Sequence, residues 1–139
     1  MAQLPQIKIV LQGDKGLYLG RVNRGDTNPL ESAHPEINRF NSFTVHSLGT
    51  NQIALQGDTG RYLGWINRGS TQTIEIQHPN IEGASVFTVE NISPGVVALR
   101  AANGLYLSRI DRGDRNPIEA AKQKIDPYCQ FKVTTLITE

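Results

Sequence analysis

Short runs of alternating apolar and polar residues recur along this chain, each followed by a polar stretch that carries glycine. Lys8 to Gln12 (KIVLQ) and Gln52 to Gln56 (QIALQ) show the period of two that suits a half-buried β-strand. The turns GDKG and GDTG lead from these runs into a second apolar run, LYLGRV in its first occurrence. A polar loop, NRGDTN, then leads into a short third run around PLES. A fourth run closes each cycle: FTVHSL, FTVENI or FKVTTL. The stretch before it (34–42 and its equivalents) carries Pro35, Pro79 or Pro127 and reads as irregular. No segment keeps a helical period, so the chain is expected to be all-β, with four short strands per cycle.

The cycle repeats every 44 residues without a gap, as segments 7–50, 51–94 and 95–138. Ten columns are identical in all three: Leu11/Leu55/Leu99, Gly16/Gly60/Gly104, Tyr18/Tyr62/Tyr106, Leu19/Leu63/Leu107, Arg24/Arg68/Arg112, Gly25/Gly69/Gly113, Glu31/Glu75/Glu119, Ile37/Ile81/Ile125, Phe43/Phe87/Phe131 and Val45/Val89/Val133. Internal repetition of this quality governs the expected fold. A propeller needs about four to eight blades, and an open solenoid needs end repeats unlike its middle ones. Closing twelve strands about one axis removes most free edges. The expected fold is therefore a β-trefoil, one domain over 1–139, with the copies of Leu11, Leu30, Phe43 and Val45 turned to a shared core.

Composition narrows the function. Fourteen basic against 13 acidic residues give no electrostatic footprint for nucleic acid. No apolar run approaches the roughly 20 residues of a membrane span, so membrane insertion is not expected. The N-terminal MAQLPQIKIV lacks the pattern of a secretory signal, which points to a cytoplasmic protein, released if at all by a leaderless route. Cys129, the one cysteine, has no disulfide partner within the chain and reads as a small packing residue.

The candidate chemistry lies in the triplicated polar loop. Gly25, Gly69 and Gly113 suit a tight turn of positive φ, with Asn or Asp beside them satisfying local backbone groups. Arg24, Arg68 and Arg112 are placed to pair with Glu31, Glu75 and Glu119, either at the surface or as a buried organiser of the loop. Around them Asn23/Asn67/Asp111, Asp26/Ser70/Asp114 and Asn28/Gln72/Asn116 keep short polar side chains. Guanidinium, amide and carboxylate together supply the donors and acceptors that sugar hydroxyls require. Tyr18, Tyr62 and Tyr106, with Trp65 in the second copy, are candidate apolar platforms. The expectation is up to three related saccharide sites, built from Asn23, Arg24, Asp26 and Asn28; Asn67, Arg68, Ser70 and Gln72; and Asp111, Arg112, Asp114 and Asn116. Arg-Gly-Asp occurs twice, at 24–26 and 112–114, but the turn already explains it.

VALRAANGLYLS (97–108), followed by FKV, resembles the repeat of fascin and hisactophilin, the actin-associated β-trefoils. Gly16, Tyr18, Leu19, Gly25, Asn28, Pro29, Phe43 and Val45, with Gly104, Tyr106, Leu107, Gly113, Asn116, Pro117, Phe131 and Val133, resemble the layout of β-trefoil lectins of the mussel and amaranthin-like types. This resemblance implies a β-trefoil and a multivalent agglutinin whose partners are glycans or glycoconjugates. The His-Pro-x-Gly ligand motif of the mussel type is replaced here by GRVN, GWIN and SRID, so its sugar site does not transfer. The ricin-type Gln-x-Trp signature and the histidine-rich loops of hisactophilin are absent as well. A nucleophilic triad, a zinc-ligand spacing and a phosphate loop are not recognisable, so neither enzymatic activity nor a metal or cofactor is expected. An actin-associated protein and a β-trefoil protease inhibitor remain alternatives, and a homodimer is compatible with the sequence.

Overall fold

A computed structural model describes residues 6–25 and 27–138. Repeat 1 contributes β1 (Gln6–Gln12), β2 (Tyr18–Arg21), β3 (Leu30–His34) and β4 (Phe43–Gly49). Repeat 2 contributes β5 (Gln52–Gln56), β6 (Tyr62–Asn67), β7 (Gln72–His78) and β8 (Phe87–Ser93). Repeat 3 contributes β9 (Val96–Arg100), β10 (Tyr106–Arg109), β11 (Ile118–Lys122) and β12 (Phe131–Thr138). The irregular stretch before the fourth strand contains a short 3-10 turn in two copies, at Gly83–Ser85 and Pro127–Cys129.

The first and fourth strands of the repeats form a closed antiparallel ring. β1 pairs with β4, β4 with β5, β5 with β8, β8 with β9, β9 with β12, and β12 returns to β1. The second and third strands form three hairpins that cap one end. Their inner strands meet in a triangle, with Glu31 opposite Pro117, Glu75 opposite Pro29 and Glu119 opposite Thr73. This pseudo-threefold barrel and cap is a β-trefoil. Each hairpin also has a register shift at the same place, after Tyr18, Tyr62 and Tyr106. The bulge breaks the simple alternation there.

The core is a set of symmetric layers. Phe43, Phe87 and Phe131 are fully buried, with Leu11, Leu55 and Leu99, Leu19, Leu63 and Leu107, and Leu30, Ile74 and Ile118 around them. Val45, Val89 and Val133 face this core as expected, from its rim. They are partly buried and, with Ile9, Ile53 and Val97, line an apolar opening of about 220 Å³ at one end of the barrel. Invariance among the repeats also does not mean burial, because Ile37 and Ile81 are 44% and 38% exposed. Cys129 is buried against Lys124 and Asp126, and burial pushes its thiol pKa up.

Candidate binding site

The polar loop folds as its glycines require, with Gly25, Gly69 and Gly113 at φ 89°, 79° and 86°. Asn23, Asn67 and Asp111 each accept, through Oδ1, the amide N–H two residues ahead at 2.9 Å. Arg24, Arg68 and Arg112 each donate two hydrogen bonds of 2.7–2.8 Å to Glu31, Glu75 and Glu119. The arginine side chains are 37%, 40% and 42% exposed, whereas their glutamates are 1%, 2% and 5% exposed. Each pair therefore spans the boundary between cap and solvent. Its buried carboxylate sits on the inner strand of a hairpin, so the arginine organises the loop from outside.

The third polar column looks inward too. Asn28 Oδ1 accepts from Arg21 Nη1 at 2.9 Å, Asn116 Oδ1 from Arg109 Nη1 at 2.8 Å, and Gln72 Oε1 from Trp65 Nε1 at 2.6 Å. Ser70 and Asp114 are exposed, and Asp26 lies outside the described residues. Much of the loop's hydrogen-bonding capacity is thus internal. What remains turned outward includes Asn23 and Asp111, and these two border open clefts.

Each cleft is lined by one repeat but contains an arginine latched to a neighbouring repeat. Arg21 makes a bidentate pair with Asp58 of repeat 2, both bonds 2.8 Å. Arg109 does the same with Asp14 of repeat 1, at 2.7 and 2.9 Å. The guanidiniums hold the carboxyls of Asp58 and Asp14 below the usual carboxylate range, outweighing the opposite effect of burial. Each latched arginine also lies over an aromatic ring of its own repeat, Arg21 at 5.1 Å from the Phe40 centroid and Arg109 at 5.2 Å from that of Tyr128. In repeat 1 the Arg21 amide N–H donates to the Phe40 carbonyl at 2.9 Å. This fixes the aromatic segment against β2.

The repeat-1 cleft, about 490 Å³, is lined by Arg21, Val22, Asn23, His34, Arg39 and Phe40. Its repeat-3 counterpart, about 270 Å³, is lined by Arg109, Ile110, Asp111, Lys122 and Tyr128. Each has an apolar wall, Val22 with Phe40 or Ile110 with Tyr128, facing polar groups. Repeat 2 lacks the trio that builds them: Trp65 stands for the arginine, Ala84 for the aromatic ring and Ala102 for the aspartate of the next repeat. Of the tyrosine platforms expected from sequence, none lines either cleft, and the Tyr106 hydroxyl donates to the Glu90 carboxylate. Phe40, Tyr128, Arg21 and Arg109 were not singled out by the sequence. Their signal was the joint loss of all three partners in the middle copy.

A second coupling supports the cleft floor. A Cβ on Gly20 would meet His34 Cδ2 at 2.3 Å, and one on Gly64 would meet His78 Cδ2 at 2.0 Å. In repeat 3 the same two positions are Ser108 and Lys122. The imidazole thus lies against bare backbone, and its Nε2 is buried without a hydrogen-bond partner among the described residues. Gly64→Ala is expected to cost about 1–3 kcal/mol in urea unfolding, as overpacking does. Adding His78→Lys, which puts the lysine of repeat 3 in place of the ring, should recover at least half of the loss. No recovery would mean that the ring is not what the new methyl group strikes.

Neither a family model nor a curated protein sequence matches this chain. Solved structures do match. A designed threefold-symmetric protein, ThreeFoil, superposes with a TM-score of 0.79 at 13% identity, over 91% of this chain and 96% of its own. A mosquitocidal holotoxin matches at TM-score 0.76 and 12% identity, over 91% of this chain and 17% of the toxin. A Polyporus squamosus lectin, bound to the epitope Neu5Aca2-6Galb1-4GlcNAc, matches at TM-score 0.73 and 9% identity, over 96% of this chain and 50% of the lectin. These likenesses define the class as β-trefoil. They span lectin and toxin alike, because one scaffold hosts many functions.

Proposed function

We propose that this protein is a non-enzymatic saccharide-binding β-trefoil, a lectin whose sites are the clefts of repeats 1 and 3. The observation that carries this reading is their shared construction. In each, a partly exposed aromatic ring and an aliphatic neighbour form a wall, a latched arginine lies over the ring, and an Asn or Asp from the polar loop adds to the polar rim. A sugar presents the matching surfaces, a C–H face and a rim of hydroxyls. The sequence suggested three sites on the loops themselves. The clefts favour two, displaced toward the seams between repeats and retaining Asn23 and Asp111 from the loop set.

Two clefts on one rigid chain make the protein bivalent. Weak binding at each becomes avidity on a glycan-coated surface once both are engaged. The similarity to a sialoside-bound lectin is consistent with this function.

A glycan array comparing the wild type with Phe40→Ala/Tyr128→Ala tests the reading. The double variant should lose roughly tenfold or more in apparent affinity, equivalent to about 1.4 kcal/mol, while its circular dichroism stays that of the wild type. Trp65→Ala should bind as the wild type does. A blank array for the wild type, or equal binding by the double variant, would sink the proposal. A blank array together with cosedimentation with filamentous actin would transfer it to the actin-associated class.

A further inference from the structure

The two clefts share a frame and differ in charge. In repeat 1, Asp58 neutralises Arg21, and Asn28 accepts a third hydrogen bond from it, through Nη1. Arg39 is left over. It is exposed, lies 5.0 Å from the Phe40 centroid, and makes no salt bridge among the described residues, although its charge helps Arg21 to lower the Asp58 pKa. The aligned positions in the other repeats are Gly83 and Pro127, neither of them cationic. The loop residue on the opposite edge, Asn23, is uncharged, and its amide nitrogen has no acceptor among the described residues.

Repeat 3 reverses this balance. Asp14 neutralises Arg109, and Asp126 lies 3.3 Å from Lys122 Nζ. Asp111 takes the place of Asn23. Its Oδ1 accepts a backbone N–H, and it makes no salt bridge among the described residues, although its charge adds to that of Asp14 in raising the Arg109 pKa. Counting the lining side chains with their ion-pair partners, the repeat-1 cleft retains one positive charge and the repeat-3 cleft one negative charge.

We propose that the repeat-1 cleft selects a carboxylated saccharide, with Arg39 as the anion-binding group, and that the repeat-3 cleft takes a neutral, hydroxyl-rich one. This rests on the carbohydrate reading above. A guanidinium presents a planar fork that matches a carboxylate in a way a point charge does not. Its cation–π contact with Phe40 holds the charge over the aromatic ring, within the cleft that an acid group on a bound sugar would enter. Asp111 in the other cleft repels the same ligand and accepts from neutral hydroxyls.

The test is an amide-resolved NMR titration of the full chain with glucose, glucuronate and glucose 6-sulfate at fixed ionic strength. Glucuronate should perturb residues 38–41 and the Asn23 side-chain amide at concentrations at least tenfold below those needed for glucose. Glucose 6-sulfate should bind more weakly than glucuronate. Arg39→Gln, at an exposed position, should remove the glucuronate preference and leave the glucose response around Tyr128 unchanged. Asp111→Asn should let glucuronate into the repeat-3 cleft. Glucose shifting both clefts with no gain from the carboxylate would overturn this inference and leave the carbohydrate function standing. So would an undiminished preference in Arg39→Gln. Sulfate binding as tightly as carboxylate would overturn the carboxylate assignment. No response to any of the three sugars would overturn both proposals.

Discussion

Replacing Phe43 by alanine is expected to lower the unfolding free energy by about 3–5 kcal/mol. Phe43 is fully buried, faces Ile9 across the β1–β4 pairing, and has Phe87 and Phe131 as its symmetry mates. Removing a ring from a close-packed layer loses its transfer free energy and leaves a cavity that two rigid neighbours cannot collapse into. Domains of this kind are stable by only about 5–15 kcal/mol, so the midpoint of a urea titration should fall steeply. Ile37→Ala provides the contrast. Ile37 is just as invariant among the repeats but 44% exposed, and its loss should cost no more than about 1 kcal/mol. Similar costs for the two variants would contradict the layered core.

The second large effect comes from breaking the pairs between loop and cap. Arg24→Ala and Arg112→Ala should each cost about 3 kcal/mol, because each leaves a buried carboxylate without its guanidinium. Arg68→Ala should cost about half as much. Among the described residues, Glu75 alone of the three keeps two other donors, the Thr73 hydroxyl at 2.6 Å and the Gln77 amide at 2.7 Å. Burial pushes the Glu75 pKa up, but Arg68, Thr73 and Gln77 together bring it below the usual carboxylate range. Its stabilisation is therefore complete at neutral pH and is lost as pH falls through that depressed value. Unfolding of the three single variants at neutral pH gives the ranking directly. Equal costs for all three would show that Thr73 and Gln77 do not support Glu75.

The fold was legible because its determinants are local and written three times. Alternation gave the strands, the 44-residue register gave the symmetry, and closure of unpaired edges selected a barrel over an open array. The pairing of Arg24 with Glu31 was legible for the same reason, since both ends recur in one unit. Only its depth required coordinates. The clefts were harder to see because they depend on contacts between repeats. Arg21 meets Asp58 and Arg109 meets Asp14, so the matching residue lies in the next repeat and not in the same aligned segment. The Gly20–His34 contact was hidden differently. A bulge after Tyr18 shifts the register of the hairpin, so simple alternation does not predict which side chain covers the glycine. Ile37 and Val45 show the converse, because a column can persist at a surface or at the mouth of a barrel as well as in its interior.

Trp65 is the single tryptophan of the chain, half-buried on β6 with its indole N–H held by Gln72 in the repeat that lacks the arginine, aromatic and aspartate trio. Tryptophan emission, excited selectively over the four tyrosines, therefore reports on one hairpin. An emission change on heating marks the opening of that cap element, while far-ultraviolet dichroism follows the strands of barrel and cap together. Divergence of the two curves would reveal a cap that melts ahead of its barrel.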